Sequence, residues 1–208
     1  MTDAAAAELL QKLAIGGELA ISHTNGANLP FARNWAYHLQ RAGVRNFAMI
    51  ATDDEALDVL ERELPARVVR CPDAISGAQD RTQPLRYRSA GWTRLMFAVP
   101  KMVRWVLRME IDVLWMDTDV IALSDPFPVL HGLLGDKSRE QLSVLASVDG
   151  RVPDEALGEC TVSYSNDARW GASSGGWKLC GGLFYIRHSA VCSRAAVAIA
   201  AVAAVTPP

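Results

Sequence analysis

An α/β fold built on a mostly parallel central sheet is what this sequence predicts, on three observations. Short apolar, strand-like runs alternate with helical stretches through most of the chain. The runs "NFAMIAT" (46–52) and "DVLWM" (112–116) are apolar nearly throughout, as in strands buried between layers of helices. Each run gives way to a polar or acidic residue, and in open α/β sheets ligands bind beyond the carboxyl ends of the strands. The 208 residues, 50% of them hydrophobic, suffice for one domain that removes roughly 70% of its unfolded surface from water. A helical, alanine-rich segment (1–17) precedes that domain, which spans 18–205.

The elements follow in order. "ELAISH" (18–23) is the first strand, and Asn25-Gly26 and Pro30 mark a turn and a helix start. Phe31, Trp35, Leu39 and Ala42 then recur at helical spacing, with Asn28 as the expected cap and Gly43 as the stop. The second strand, 46–52, runs into Asp53-Asp54-Glu55, whose acids suit the positive amino end of the helix "EALDVLEREL". "ARVVR" (66–70) is the third strand.

Residues 71–90 are polar, hold Pro72, Gly77 and Pro84, and read as a loop. Trp92, Leu95, Val99, Met102, Val106 and Met109 keep a helical period, but Pro100 falls in its middle. A break is expected there, with Pro100 opening a second piece. The strand "DVLWM" follows, then a short helix in "PFPVLHGLLG" and a strand in "QLSVLASVD" (141–149) that ends on Asp149. Segment 150–182 is rich in Gly, Ser and Asn and carries Trp170 and Trp177, the composition of a loop that covers a ligand. "LFYIR" (183–187) is the last strand, and the alanine-rich tail from Ser189 is a helix.

Composition excludes several function classes. Twenty-one basic against 23 acidic residues give a net charge of −2, without the footprint of a nucleic-acid or anionic-membrane partner. Cys71, Cys160, Cys180 and Cys192 show no CxxC spacing, which argues against zinc. The amino terminus lacks a signal-peptide pattern, and "AAVAIAAVAAV" (195–205) is shorter than the ~20 residues a span needs, so the sequence predicts a soluble chain. Its close on Pro207-Pro208 leaves room for a longer parent protein.

The chemistry concentrates in "DVLWMDTDVIALSDPFP" (112–128), where a buried strand ends in two carboxylates. Along an extended chain Asp117 and Asp119 point to one side and Thr118 to the other, so both acids can face one hard cation. Two anions held ~5–7 Å apart with no cation would repel and tend to take up a proton. Asp also caps turns at strand ends, which is the plainer reading. Set against it, an uncompensated polar pair between "VLWM" and "VIAL" is costly unless something binds it. A strand followed by DxD is equally the first motif of haloacid-dehalogenase-type phosphatases, with Asp117 as nucleophile. The later motif that such enzymes need is not found in "LLGDKSRE" or "VSYSNDARW".

Four blocks together, "NWAYHLQRAGVRNFAMIATDDEAL" (34–57), "KMVRWVLRMEIDVLWMDTDVIALSDPFP" (101–128), "ASVD" (146–149) and "CGGLFYIRHS" (180–189), resemble the nucleotide-diphospho-sugar transferase family. The resemblance is to the plant and algal arabinosyl-, xylosyl- and galactosyltransferase-like members of glycosyltransferase family 77, and it covers most of 19–190. It implies a GT-A fold, a Rossmann-like three-layer sandwich whose DxD motif holds manganese, or magnesium, on the diphosphate of a nucleotide sugar.

Carried over by position, it makes Asp117 and Asp119 the metal-binding DxD, flanking Thr118 at the donor. Asn25 and Asp53 fall at nucleotide contacts, and Lys101 at a lysine able to neutralise phosphate. Lys101 also shares a helical face with Arg104 and Arg108, which reads as well as a solvated surface. Asp149 would orient donor sugar or acceptor, or cap a turn. Gly181 and Gly182 match a segment where absent side chains let sugar approach the backbone. The chain departs from the pattern at Cys180, in place of asparagine, and at Glu110, where glycine is typical.

The implied activity is metal-assisted transfer from a nucleotide diphosphate donor, a UDP-sugar first, to a glycan or glycoprotein, with retention of configuration. The family also implies the Golgi lumen, with membrane attachment through an anchor absent from these residues. A phosphatase, or a degenerate domain that binds nucleotide sugar without turnover, are the alternatives.

Overall fold

Alternation along each strand sorts its side chains into two cores, one on either face of a central sheet. The computed structural model describes residues 2–72, 75, 89–134, 144–146 and 182–188. Its elements are α1 (Asp3–Leu13), β1 (Glu18–Thr24), a 3-10 turn (Gly26–Asn28), α2 (Leu29–Arg41), β2 (Phe47–Ala51), α3 (Asp54–Glu63) and β3 (Val68–Arg70). There follow α4 (Ala90–Leu107), β4 (Asp112–Met116), α5 (Phe127–Leu134), β5 (Val144–Ala146) and β6 (Leu183–Ile186). The sheet order is β3-β2-β1-β4-β6-β5. Strands β3, β2, β1 and β4 pair in parallel, while β6 runs antiparallel between β4 and β5.

Leu19 and Ile21 of β1, Ala48 and Ile50 of β2, and Val113 and Trp115 of β4 join one core with α1 and α4. Ala20, Phe47, Met49, Leu114 and Met116 join the other, with α2 and α3. Both faces are therefore covered, which is why β2 and β4 are buried at every position. The result is the Rossmann-like three-layer GT-A arrangement, with a mostly parallel sheet. Helix α1, from the segment 1–17, packs Ala6 and Leu10 onto the first core.

Three local expectations are corrected. Helix α2 starts at Leu29, and its buried stripe is Leu29, Ala32, Trp35, Ala36 and Leu39. Phe31, expected inside, is 54% exposed. Asn28 makes no side-chain cap bond; Asn25 accepts instead, from the Asn28 N–H. Helix α4 is continuous through Pro100, where a break was expected. A proline inside a helix costs roughly 3 kcal/mol or more. Burying Ala98, Met102, Val103, Val106 and Leu107 against the sheet outweighs that, at about 1.5–3 kcal/mol for each of the larger side chains.

The turn from α4 into β4 places Glu110 at φ +61, the left-handed region that favours glycine and costs an L-residue about 1–2 kcal/mol. Glu110→Gly is expected to stabilise the protein by about 0.5–1 kcal/mol, the relief of that strain being partly offset by a freer unfolded chain. Urea unfolding midpoints of the two proteins check this.

Among the described residues no helix is long and apolar enough to cross a membrane. The Cys71 side chain is buried. Cys160, Cys180 and Cys192, most of the expected loop 71–90, the expected loop 150–182 except Gly182, and the tail from Ser189 lie outside the described residues.

Candidate functional site

Parallel pairing of β2, β1 and β4 brings three strand ends to one edge of the sheet, and each is followed within two residues by a predicted site residue. Asn25 follows β1, Asp53 follows β2 and Asp117 follows β4.

At β1 and β2 the carboxyl ends are tied together. The Thr52 N–H and hydroxyl both donate to the Thr24 carbonyl, at 2.9 and 3.0 Å. Asp53 caps α3 by accepting from the Ala56 N–H at 2.8 Å. The same carboxylate accepts from the Gly26 N–H, at 3.1 and 3.0 Å to its two oxygens. Asn25, 4% exposed, accepts on Oδ1 from the Asn28 N–H at 3.1 Å and the Asn28 side-chain amide at 2.8 Å. A Cβ on Gly26 would stand 2.3 Å from Glu55 Oε2, so the 25–28 turn lies directly on the start of α3. Asp53 thus shapes the loop that carries Asn25 besides capping its own helix. Asp53→Ala is expected to destabilise the protein by about 1 kcal/mol and to loosen the 25–28 turn. Thermal unfolding and proteolysis at that turn measure the two effects.

At β4 the sequence reading needs a correction. Asp117 to Asp119 are not extended: the Val120 N–H donates to the Asp117 carbonyl at 2.9 Å, closing a turn over 117–120. That turn, and not strand alternation, brings the two carboxylates together. The Asp117 N–H donates to the Gly182 carbonyl at 2.7 Å, so Gly182 joins the site. Asp117 Oδ1 accepts from the Trp115 indole N–H at 2.8 Å. Burial pushes the Asp117 carboxyl above the usual carboxylate range, the indole N–H pulls it back, and the charge of Asp119 pushes it up further. Asp119 itself is exposed and Thr118 half-buried.

Lys101 is exposed on α4. Asp149 and Gly181 lie outside the described residues.

The sequence reading missed a polar cluster at the opposite edge. Glu18 and Asp112 face each other across β1 and β4 and are 9% and 2% exposed. The Tyr185 hydroxyl lies against both, in a short bond to Glu18 and 3.4 Å from Asp112. His131 of α5 contacts both Glu18 oxygens at 2.8–2.9 Å, and Asp112 accepts from the His188 N–H at 2.6 Å. Helix α5, the exit from the 117–126 segment, is thereby anchored to β1.

Comparison with known proteins identifies the family. The nucleotide-diphospho-sugar transferase family matches residues 42–194. Arabinosyltransferase RRA2 of Arabidopsis thaliana is 25% identical over 190 residues, 87% of this chain and 40% of that protein. UDP-D-xylose:L-fucose alpha-1,3-D-xylosyltransferase 3 of the same plant is 23% identical over 162 residues, 77% of this chain and 38% of that protein. The chain spans about two-fifths of the length of these curated relatives. With the family match running through β2, β4 and β6, the chain belongs to the nucleotide-diphospho-sugar transferase family.

Proposed function

We propose that this chain is the donor-binding part of a glycosyltransferase that uses a UDP-sugar and a divalent cation, with a glycan or glycoprotein as acceptor. The observation that carries the reading is the pair Asp117 and Asp119, held in one turn where β4 ends beside β1. Family membership supports sugar transfer, and the names of the two plant relatives favour a pentose donor.

The donor chemistry of the pair fits manganese or magnesium. Both side chains offer hard oxygen, Asp117 is short of compensation in its buried setting, and Asp119 is open to solvent. Among the described residues no group of three or more His, Cys, Asp or Glu forms a closed cage. Such a pair suits a cation that shares its coordination with substrate phosphates and water. When bound, that cation would act as a Lewis acid toward charge developing on the diphosphate.

The chain's own residues prepare the site. Trp115 and Gly182 fix Asp117, and the Asp53–Gly26 tie fixes the turn of Asn25, which stands at the nucleotide end. Thr118, Gly181 and Asp149 flank donor sugar and acceptor in this reading, and Lys101 adds positive charge on the helix before β4. Retention of configuration and a Golgi-lumen location, with an anchor outside these residues, complete the proposal. No observation favours a phosphatase over it, and a domain that binds donor without turnover is separated by assaying sugar release.

Calorimetry of UDP and of GDP, each with and without manganese, tests it. Manganese-dependent binding of one nucleotide is expected; a folded protein that binds neither would falsify the reading.

A further inference from the structure

Trp115 combines three features that a tryptophan serving only as core filling does not need. Its side chain is fully buried. Its ring is stacked between His23 of β1, at 5.4 Å and 24°, and Phe184 of β6, at 6.1 Å and 12°. These are the two strands that flank β4, and Phe184 is its register partner, so the three rings form a ladder across the sheet. A ring clamped on both faces has little freedom about χ1 or χ2, and the direction of its N–H is set by the sheet itself. That N–H is spent on one atom, Asp117 Oδ1, at 2.8 Å.

Asp117 is fixed from the other side as well. Its N–H and carbonyl are both engaged, with Gly182 and Val120. With the main chain anchored and Oδ1 held by the indole, the remaining side-chain freedom is small and Oδ2 is the oxygen left for a ligand. From this geometry we infer that Trp115 is the positioning residue of the site: it reserves Oδ1, presents Oδ2, and makes Asp117 a one-oxygen ligand to a divalent cation. The inference rests on the reading of Asp117 and Asp119 as cation ligands.

The design resembles the outer partners of metal-ligating side chains in general, which orient the ligand and whose loss costs tenfold to a hundredfold in metal affinity. A structural role alone makes a different prediction. Loss of ring packing lowers the unfolding temperature without a selective effect on the cation, because Trp115 is buried beneath the turn and reaches solvent nowhere.

Two variants separate the roles. Trp115→Phe keeps an aromatic ring in the stack and loses the N–H. Site-specific replacement of Trp115 by benzothienylalanine keeps the bicyclic shape and loses only the donor, which guards against a fold too weakened to test. Binding of Mn2+ to the full 208-residue chain with UDP present is read from the free-ion EPR signal, alongside the unfolding temperature and with Asp119→Ala as control. The expected result is Mn2+ affinity about tenfold or more lower in the benzothienyl variant at an unchanged unfolding temperature, and lower also in Trp115→Phe. If the wild type binds Mn2+, Asp119→Ala loses it and the benzothienyl variant binds within twofold of wild type, the positioning role is wrong and the cation site stands. If the wild-type chain binds no Mn2+, the cation reading fails and the inference falls with it.

Discussion

Asp119→Ala is expected to remove manganese-dependent UDP binding, with a loss of more than about a hundredfold, while leaving the fold intact. Asp119 is exposed, so its removal opens no cavity, and losses at partners behind a metal ligand already reach tenfold to a hundredfold. Asp117→Asn should abolish the same binding and yet stabilise the metal-free protein by about 0.5–2 kcal/mol. The sign follows from its titration. Burial raises the folded-state carboxyl above its ordinary value of 3.8, so the folded protein holds that proton more tightly than the unfolded chain does. The contribution of Asp117 to stability is therefore greatest below pH 3.8 and falls as pH rises through the raised value. Asparagine cannot ionise, and its carbonyl still accepts the Trp115 N–H. The unfolding temperatures of the two metal-free proteins should differ at pH 7 and converge below pH 4. A variant that is less stable than wild type at pH 7 would show that the Asp117 charge is already compensated.

Tyr185→Phe is expected to cost about 1–3 kcal/mol at neutral pH, because Glu18 and Asp112 stay buried and lose the hydroxyl that lies against both. Burial pushes the Tyr185 hydroxyl far above its ordinary value of 10.0, with the bond to Glu18 and the charges of Asp112 and Glu18 adding to the shift. A group with a raised folded-state value contributes stability that is fully present below the unfolded value and lost above it. The wild type should therefore lose about 1.4 kcal/mol per pH unit from this group above pH 10. Tyr185→Phe should lack that part of the alkaline dependence. Denaturant titrations at pH 8, 10 and 11 measure it, and equal alkaline slopes in both proteins would refute the account of the cluster.

Legibility in the sequence tracked the range of the interaction. Strands buried on both faces leave near-continuous apolar runs, so β1, β2, β3 and β4 were all located from their residues. Asp53 was readable as a helix opener, since the Ala56 N–H is three residues away, but its tie to Gly26 spans 27. The Glu18–Tyr185 contact spans 167 residues, and nothing local announces it. Phe31 was misplaced because helical period fixes spacing and not which stripe meets the sheet. Pro100 was misread because local propensity lost to the burial of the α4 face. The reversed direction of β6 was hidden for a related reason: its run is as apolar as a parallel strand's, and its direction is set by pairing with β4 and β5. The two aspartates stand out in the sequence as a candidate site, whereas the turn that joins them and the indole that holds one of them depend on contacts made only in the folded sheet.

The most direct test of the site is anomalous diffraction from crystals of the protein grown with Mn2+ and UDP. The account predicts a manganese peak at coordination distance, about 2.0–2.6 Å, from oxygens of both Asp117 and Asp119, with the nucleotide over the ends of β1 and β2. UDP bound at another edge of the sheet, or manganese bound away from these two carboxylates, would contradict it.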